Sequence, residues 1–311
     1  MRIFDSFEEV GELVFPVVTS GTFDGVHFGH QKILKNVSVQ AKKHKGQSVV
    51  ITYWPHPRFV LGKKSDQLQL LTTFEEKAKL IEECGIDVIM KVPFTRSFSQ
   101  LSADEYIYKV LIDGLRTKKL IIGYDHKFGR NQEGSFEYLK QHENRLGFAI
   151  EEIARQDIED VGVSSTKIRD SLLAGNVAVA NEYLGRNYSI TGLVTKGEQL
   201  GRKLGFPTAN IYVPEEYKLI PGDGVYAVEV QVGNRMLHGM LNIGQRPTVS
   251  GRNKTIEVNL FNFDDDIYGL TVSVSFVCFL RKEQKFSGLD QLKNQLDIDK
   301  KMALEVLNKL D

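Results

Sequence analysis

Residues 21–30 read GTFDGVHFGH and follow the apolar run LVFPVV. His27 and His30 stand three apart, a spacing that puts both imidazoles on one face of a helix. Gly21, Gly25 and Gly29 let the backbone approach a ligand closely. A helix start after a strand offers unpaired N–H groups and partial positive charge, so a phosphate settles there. Two imidazoles donating to it would stabilise charge developing on phosphorus. The pair would also suit zinc, yet no third ligand follows at metal-site spacing.

Other stretches share this chemistry. TYWPHP (52–57) sets two prolines around His56, and GYDHKFG (123–129) follows the apolar run KLIIG. Both fall at carboxyl ends of expected strands, where α/β sheets bind ligands. VSSTKIR (163–169) gathers Ser164, Ser165 and Thr166 with Lys167 and Arg169 at a helix start. The cations suit a polyphosphate, while the hydroxyls could equally serve as helix caps.

The second half carries GRKLGFPTAN (201–210) but no GxxxxGK[ST] loop. Thr208 and Asn210, two apart in an extended segment, share a face and could hold magnesium with ATP. In TIEVNLFNF (255–263), alternation places Thr255, Glu257 and Asn259 on one face and Ile256, Val258 and Leu260 on the other. Glu257 is a general base if that face lines a site, and an outward acid otherwise.

These residues need elements to hold them. Strands at 13–21, 49–54, 87–92, 119–123 and 148–153 alternate with helices, which predicts a Rossmann-like parallel sheet. The helices are expected over 28–44, from a Thr73/Glu76 capping box to Cys84-Gly85, from Ser102/Glu105 to Gly114, and along SFEYLKQHENRLG. Residues 164–185 read as two short helices. From Tyr188 onward the texture becomes antiparallel, with a Gly233-Asn234 hairpin turn, and predicts a small barrel followed by a terminal helix.

Composition bounds the partners. At 311 residues the chain has room for two domains. Forty basic and 40 acidic residues give a net charge of zero, against a general nucleic-acid binder. Its two cysteines, Cys84 and Cys278, form no disulfide framework or CxxC site. No run approaches the about 18 apolar residues of a membrane span, and the N-terminus lacks a signal-peptide pattern. A cytoplasmic protein with no membrane partner is expected, its oligomeric state open.

In this order, GTFDGVHFGH, TYWPHP, GYDHKFG and SSTKIR resemble the nucleotidyltransferase half of bacterial bifunctional riboflavin kinase/FAD synthetases. HxGH alone marks a wider superfamily. GxxLGFPTAN, GVY, NIGxRPT, the strand glutamate and FLRKExKF resemble the riboflavin kinase module, so the likeness runs from about Gly21 to Phe286. The resemblance implies an adenylyltransferase domain over 1–186 and a kinase domain over 187–311. It implies phosphorylation of riboflavin to FMN by ATP, then adenylylation of FMN to FAD with release of pyrophosphate.

The resemblance also implies roles. Glu257 activates the riboflavin hydroxyl, and His27 and His30 act on the α-phosphorus. Gly21, Phe23, Asp24, Gly25, Gly29, Asp125, Ser164, Ser165, Thr166 and Arg169 bind ATP in the first half. Gly201, Lys203, Gly205, Thr208 and Asn210 bind it in the second, the last two through Mg²⁺. Flavin contacts fall on Pro57, Asp125, Phe128, Phe206 and Arg246. Two positions depart from the family pattern: His126 stands where phenylalanine is usual, and Asn259 where histidine is frequent. GFPTAN and NIGQRPT speak against a different HxGH transferase with an unrelated barrel, and Thr208, Glu257 and both histidines against a flavin-sensing or RNA-binding module without catalysis.

Overall fold

Val17–Ser20, the strand leading into GTFDGVHFGH, lies inside a six-stranded sheet with neighbours on both sides. The computed structural model describes residues 1–62, 68–153, 162–196, 201, 204–248 and 251–309, with backbone alone at 246–248 and 251–253. The chain divides into two compact units, Met1–Ser165 and Thr166–Asp311.

The first unit contains β1 (Arg2–Phe4), β2 (Val17–Ser20), β3 (Ser48–Trp54), β4 (Val88–Pro93), β5 (Lys119–Gly123) and β6 (Ala149–Ile153). They pair in the order β1-β4-β3-β2-β5-β6, every ladder parallel. The reason is in the side chains: Val17, Val18, Val49, Val50, Val88 and Ile89 are all fully buried, as strands covered on both faces require. The chain steps outward from β2 to β4, then returns to add β5 on the other side of β2. That reversal is a topological switch point, and the carboxyl ends of β2 and β5 open a crevice there. GTFDGVHFGH leaves one of these ends and GYDHKFG the other.

Local departures from the sequence reading have physical causes. The strand expected from residue 13 begins at Val17, because Phe15 takes a φ of 40° and Pro16 lacks an N–H. The Ser102/Glu105 capping box forms, but the helix widens to a π-helical stretch at Ile107–Gly114. The helix expected along SFEYLKQHENRLG splits into Phe136–Gln141 and Glu143–Leu146, with the His142 ring nitrogen 2.7 Å from the Tyr138 carbonyl at the break. The Thr73/Glu76 capping box starts helix Phe74–Glu83 as expected.

The second unit contains β7 (Tyr188–Thr195), β8 (Ala209–Tyr212), β9 (Gly224–Val232), β10 (Arg235–Thr248), β11 (Gly251–Leu260) and β12 (Thr271–Arg281). They close into an antiparallel barrel in the order β10-β11-β8-β7-β12-β9. Gly233, at a φ of 57°, makes the hairpin turn between β9 and β10. Ile190, Tyr226, Val228, Leu241, Val258 and Val274 are buried on one face of the strands. On the opposite face, Ala227 and Met240 pack with Ala303 and Leu307 of the terminal helix Leu289–Leu307.

Two ties fix the helices to this barrel. Arg281 on β12 reaches the fully buried Asp299 with two bonds, Nε to Oδ1 at 2.8 Å and Nη2 to Oδ2 at 2.7 Å. Asn181, in helix Val177–Leu184, donates to the Phe276 carbonyl and accepts from the Tyr188 N–H. The latter contacts tie helix Val177–Leu184 to the barrel, and all but the first residue of helix Ser165–Leu173 falls in the same unit.

Candidate active sites

At the end of β2 the chain turns sharply before helix Phe28–Lys43. Phe23 and Val26 hold φ values of 48° and 38° in that turn, conformations side chains other than glycine adopt at a cost. Gly25 has a φ of 79°, and a Cβ there would strike Leu71. Asp24 clasps the turn: its buried carboxylate accepts the N–H groups of Leu71 and Thr72 and the Thr72 hydroxyl. Ser165, the last residue of the first unit, donates its hydroxyl to the Asp24 carbonyl at 3.1 Å.

His27 caps the helix, its Nδ1 accepting the His30 N–H at 3.4 Å. A neutral imidazole that accepts at Nδ1 carries its proton on Nε2. The His27 and His30 rings stack, with centroids 3.6 Å apart and planes within 17°. Phe23 meets His30 edge-on. Burial, then His27, then Lys77 hold the His30 pKa well below its ordinary value, so the ring is neutral near pH 7. Its Nδ1 is buried and has no partner among the described residues.

His30 and Phe23 border a pocket of about 610 Å³ at the switch point. Gly21, Phe23 and His30 line one part, and Pro57, Phe98, Phe128 and Asp125 another. The pocket thus joins residues from the HxGH turn, TYWPHP and GYDHKFG. His56 itself caps helix Pro57–Leu61 by accepting the Arg58 N–H. Thr166, Lys167 and Arg169 fall beyond the unit division, in the first turns of helix Ser165–Leu173.

Four residues of this site escaped the sequence reading. Ser20, Tyr53 and Tyr106 line the pocket, the two phenols sharing a 2.9 Å bond. Ser20 and Tyr53 adjoin or lie inside quoted motifs, at strand ends, which is the signal that could have found them. Lys77 is nearly fully buried and donates to the Thr22 carbonyl and the Thr52 hydroxyl. Burial lowers its pKa to about 8, with Asp24 partly offsetting the effect. Its sequence signal is a lysine on the same helical stripe as Phe74, Ala78 and Ile81.

The barrel brings together a second group. Asn210 on β8 lies directly opposite Glu257 on β11, and the Thr208 hydroxyl donates to Glu257 Oε2 at 3.5 Å. Asn259 donates to the Pro207 carbonyl at 2.6 Å and so anchors the GFPTAN loop to the same strand. Leu204 and Phe206 donate their N–H groups to the Gly201 carbonyl, and Gly205 turns at a φ of 85°. A cleft of about 300 Å³ is lined by Phe206, Thr208, Glu257, Asn259 and Glu283. Glu283, from FLRKExKF, accepts the Asn242 side-chain N–H at 3.2 Å, a placement the sequence reading did not assign. Another cleft, of about 250 Å³, lies where Thr208 meets Pro207, Val258 and Tyr268. Lys203 and the Arg246 side chain lie outside the described residues.

Comparison with known proteins identifies the family of each half of the chain. The FAD synthetase family profile matches residues 14–167, and the riboflavin kinase profile residues 184–307. The bifunctional riboflavin kinase/FMN adenylyltransferase of Bacillus subtilis is 35% identical over 300 residues, covering 94% of this chain and 93% of the relative. Its Escherichia coli counterpart is 38% identical over 290 residues, covering 93% and 92%. A crystal structure from Streptococcus pneumoniae, named there a macrolide-efflux protein, is similar with a TM-score of 0.88 and 30% identity, covering 97% of each chain. Among the described residues here, no helix is long and apolar enough to cross a membrane. The chain belongs to the bifunctional riboflavin kinase/FMN adenylyltransferase family, whose two steps make FMN from riboflavin and FAD from FMN.

Proposed function

We propose that the two reactions are divided between the units, adenylylation on the sheet and phosphorylation on the barrel. On the sheet, an oxygen of the FMN phosphate attacks the α-phosphorus of ATP, and the bond to pyrophosphate breaks. The attacking phosphate is already ionised, so no base is needed. His27 and His30 donate to the oxygens of the crowded phosphorus, and the glycines of the turn let the chain approach it. Ser164 and Ser165 receive pyrophosphate, and Asp125 positions the nucleotide or flavin. The stacked imidazole pair carries this reading: His30, stacked on His27, lines the pocket at the switch point, with its Nδ1 buried and unpartnered among the described residues.

On the barrel, Glu257 takes the proton of the riboflavin 5′-hydroxyl, whose oxygen attacks the γ-phosphorus of ATP while ADP leaves. The hydroxyl of Thr208 and the side-chain carbonyl of Asn210, beside the Glu257 carboxylate, form a hard-oxygen set that fits magnesium. Mg²⁺ when bound neutralises charge on the β- and γ-phosphates. Thr208 borders both clefts, which supports flavin on the Glu257 side, with Phe206, and nucleotide on the other.

The test uses the purified protein supplied with ATP and Mg²⁺ and, in separate assays, FMN or riboflavin. His30→Ala should slow FAD formation by on the order of 10²–10³ and leave riboflavin phosphorylation intact. Thr208→Ala should do the reverse. FAD formation at the wild-type rate in His30→Ala would overturn the assignment on the sheet.

A further inference from the structure

Ser20 ends β2 immediately before the HxGH turn, and its hydroxyl lies 3.0 Å from His126 Nε2. The phenols of Tyr53 and Tyr106 share a 2.9 Å bond in the same pocket wall. These four residues line the pocket of the sheet unit. They form a belt with a different neighbour on each side. Toward one side, Tyr53 meets Phe98, and both Tyr106 and His126 meet Phe128, with ring centroids 5.1–6.0 Å apart. Toward the other, Ser20 runs into Gly21 and the turn that carries His30.

The pocket therefore presents three chemistries in series: a glycine and imidazole turn, a hydroxyl and imidazole belt, and an aromatic wall. FMN has the same series, a phosphate, a polyhydroxylated ribityl chain and a flat tricyclic ring. We propose that His126, held by Ser20, reads the ribityl hydroxyls of FMN and is a specificity-determining residue of adenylyl transfer. The inference rests on the reading that this pocket holds FMN.

The chemistry favours an alcohol as the partner. His126 is partly exposed within the pocket wall, and with Nε2 engaged by Ser20 its remaining polar atom is Nδ1. Burial, with Lys127 adding to it, holds its pKa down to about 4, so the ring is neutral at pH 7. A neutral imidazole gives one donor and one acceptor, which a hydroxyl can match whichever tautomer Ser20 selects. A phenylalanine at this position could pack against the flavin ring but could not bond its chain.

The experiment compares His126→Phe, His126→Gln and Ser20→Ala with the wild-type chain. The substrates are FMN and an FMN analogue whose ribityl hydroxyls are replaced by hydrogen. The wild type should prefer FMN in kcat/KM. His126→Phe should lose about tenfold of that preference, through the KM for FMN, with the KM for ATP unchanged. His126→Gln, which keeps a polar atom, should retain most of it. An unchanged preference in His126→Phe, or a loss confined to the KM for ATP, would overturn the proposal. If His126→Phe does not fold, Ser20→Ala carries the test, and an unchanged preference there overturns it equally. Failure of the underlying reading is distinguishable, because His30→Ala would then leave FAD formation intact.

Discussion

The two units solve two phosphorus-transfer problems with different side chains. Six of the seven histidines fall in the sheet unit, and the barrel holds only His238. The sheet pocket brings together His30, stacked on His27, and the hydroxyls of Ser20, Tyr53 and Tyr106, while the barrel cleft brings together Glu257, Glu283 and the amides of Asn242 and Asn259. The difference follows the nucleophile. A phosphate monoester is already an anion at neutral pH, so its site needs donors that tolerate crowding of negative charge, and neutral imidazoles serve. An alcohol must lose a proton as it attacks, so its site needs a carboxylate.

The largest effect should come from removing the base. Glu257→Gln should cut FMN formation by at least about 10², with FAD formation from supplied FMN unchanged. Chelating divalent metal should stop phosphorylation of riboflavin, and return of Mg²⁺ should restore it. A kinase that runs at full rate in chelator would break the reading of Thr208 and Asn210.

Next comes the clasp under the terminal helix. Asp299→Ala leaves Arg281 without its buried carboxylate partner, which should destabilise the barrel by about 3 kcal/mol. The unfolding transition that extinguishes kinase activity should move, while the one that extinguishes adenylyl transfer stays.

Acid should separate the units too. His126 has a folded pKa of about 4 against an ordinary 6.5, so between those values the unfolded chain binds the additional proton. Stability of the sheet unit therefore falls as pH drops from 6.5 toward 4, by about 3 kcal/mol at most, and His30 acts in the same direction. Denaturant unfolding at pH 7 and pH 4.5 should reveal the slope, and His126→Phe should flatten it. An equal slope in that variant would show that His126 is not the group responsible.

The smallest effect concerns a helix start. Thr73→Ala removes the side-chain acceptor for the Glu76 N–H and should cost the sheet unit about 1 kcal/mol, read from its unfolding midpoint.

Much of this was legible in the sequence because the chemistry is local. Strand periods of two and helix caps such as Thr73 with Glu76 act over a few residues, and the HxGH turn sits where an apolar strand meets a helix. β1 escaped notice because it is three residues long at the sheet edge, with Arg2 and Ile3 exposed and only Phe4 partly buried. The role of Asp24 was hidden for another reason. Its carboxylate accepts from backbone 47 residues away, a contact that no short stretch of sequence contains. Lys77 was masked by its own helix, where a long cation sits on the apolar stripe and reaches two oxygens at the ends of β2 and β3. Pairing of Asn210 with Glu257 depended on barrel register, which no short window contains.

The division of labour is tested most directly by product analysis of two single variants, each supplied with riboflavin, ATP and Mg²⁺. His30→Ala should accumulate FMN and form almost no FAD. Glu257→Gln should form neither from riboflavin, yet produce FAD when FMN is added. Loss of both activities in either variant, with its fold intact, would contradict the account.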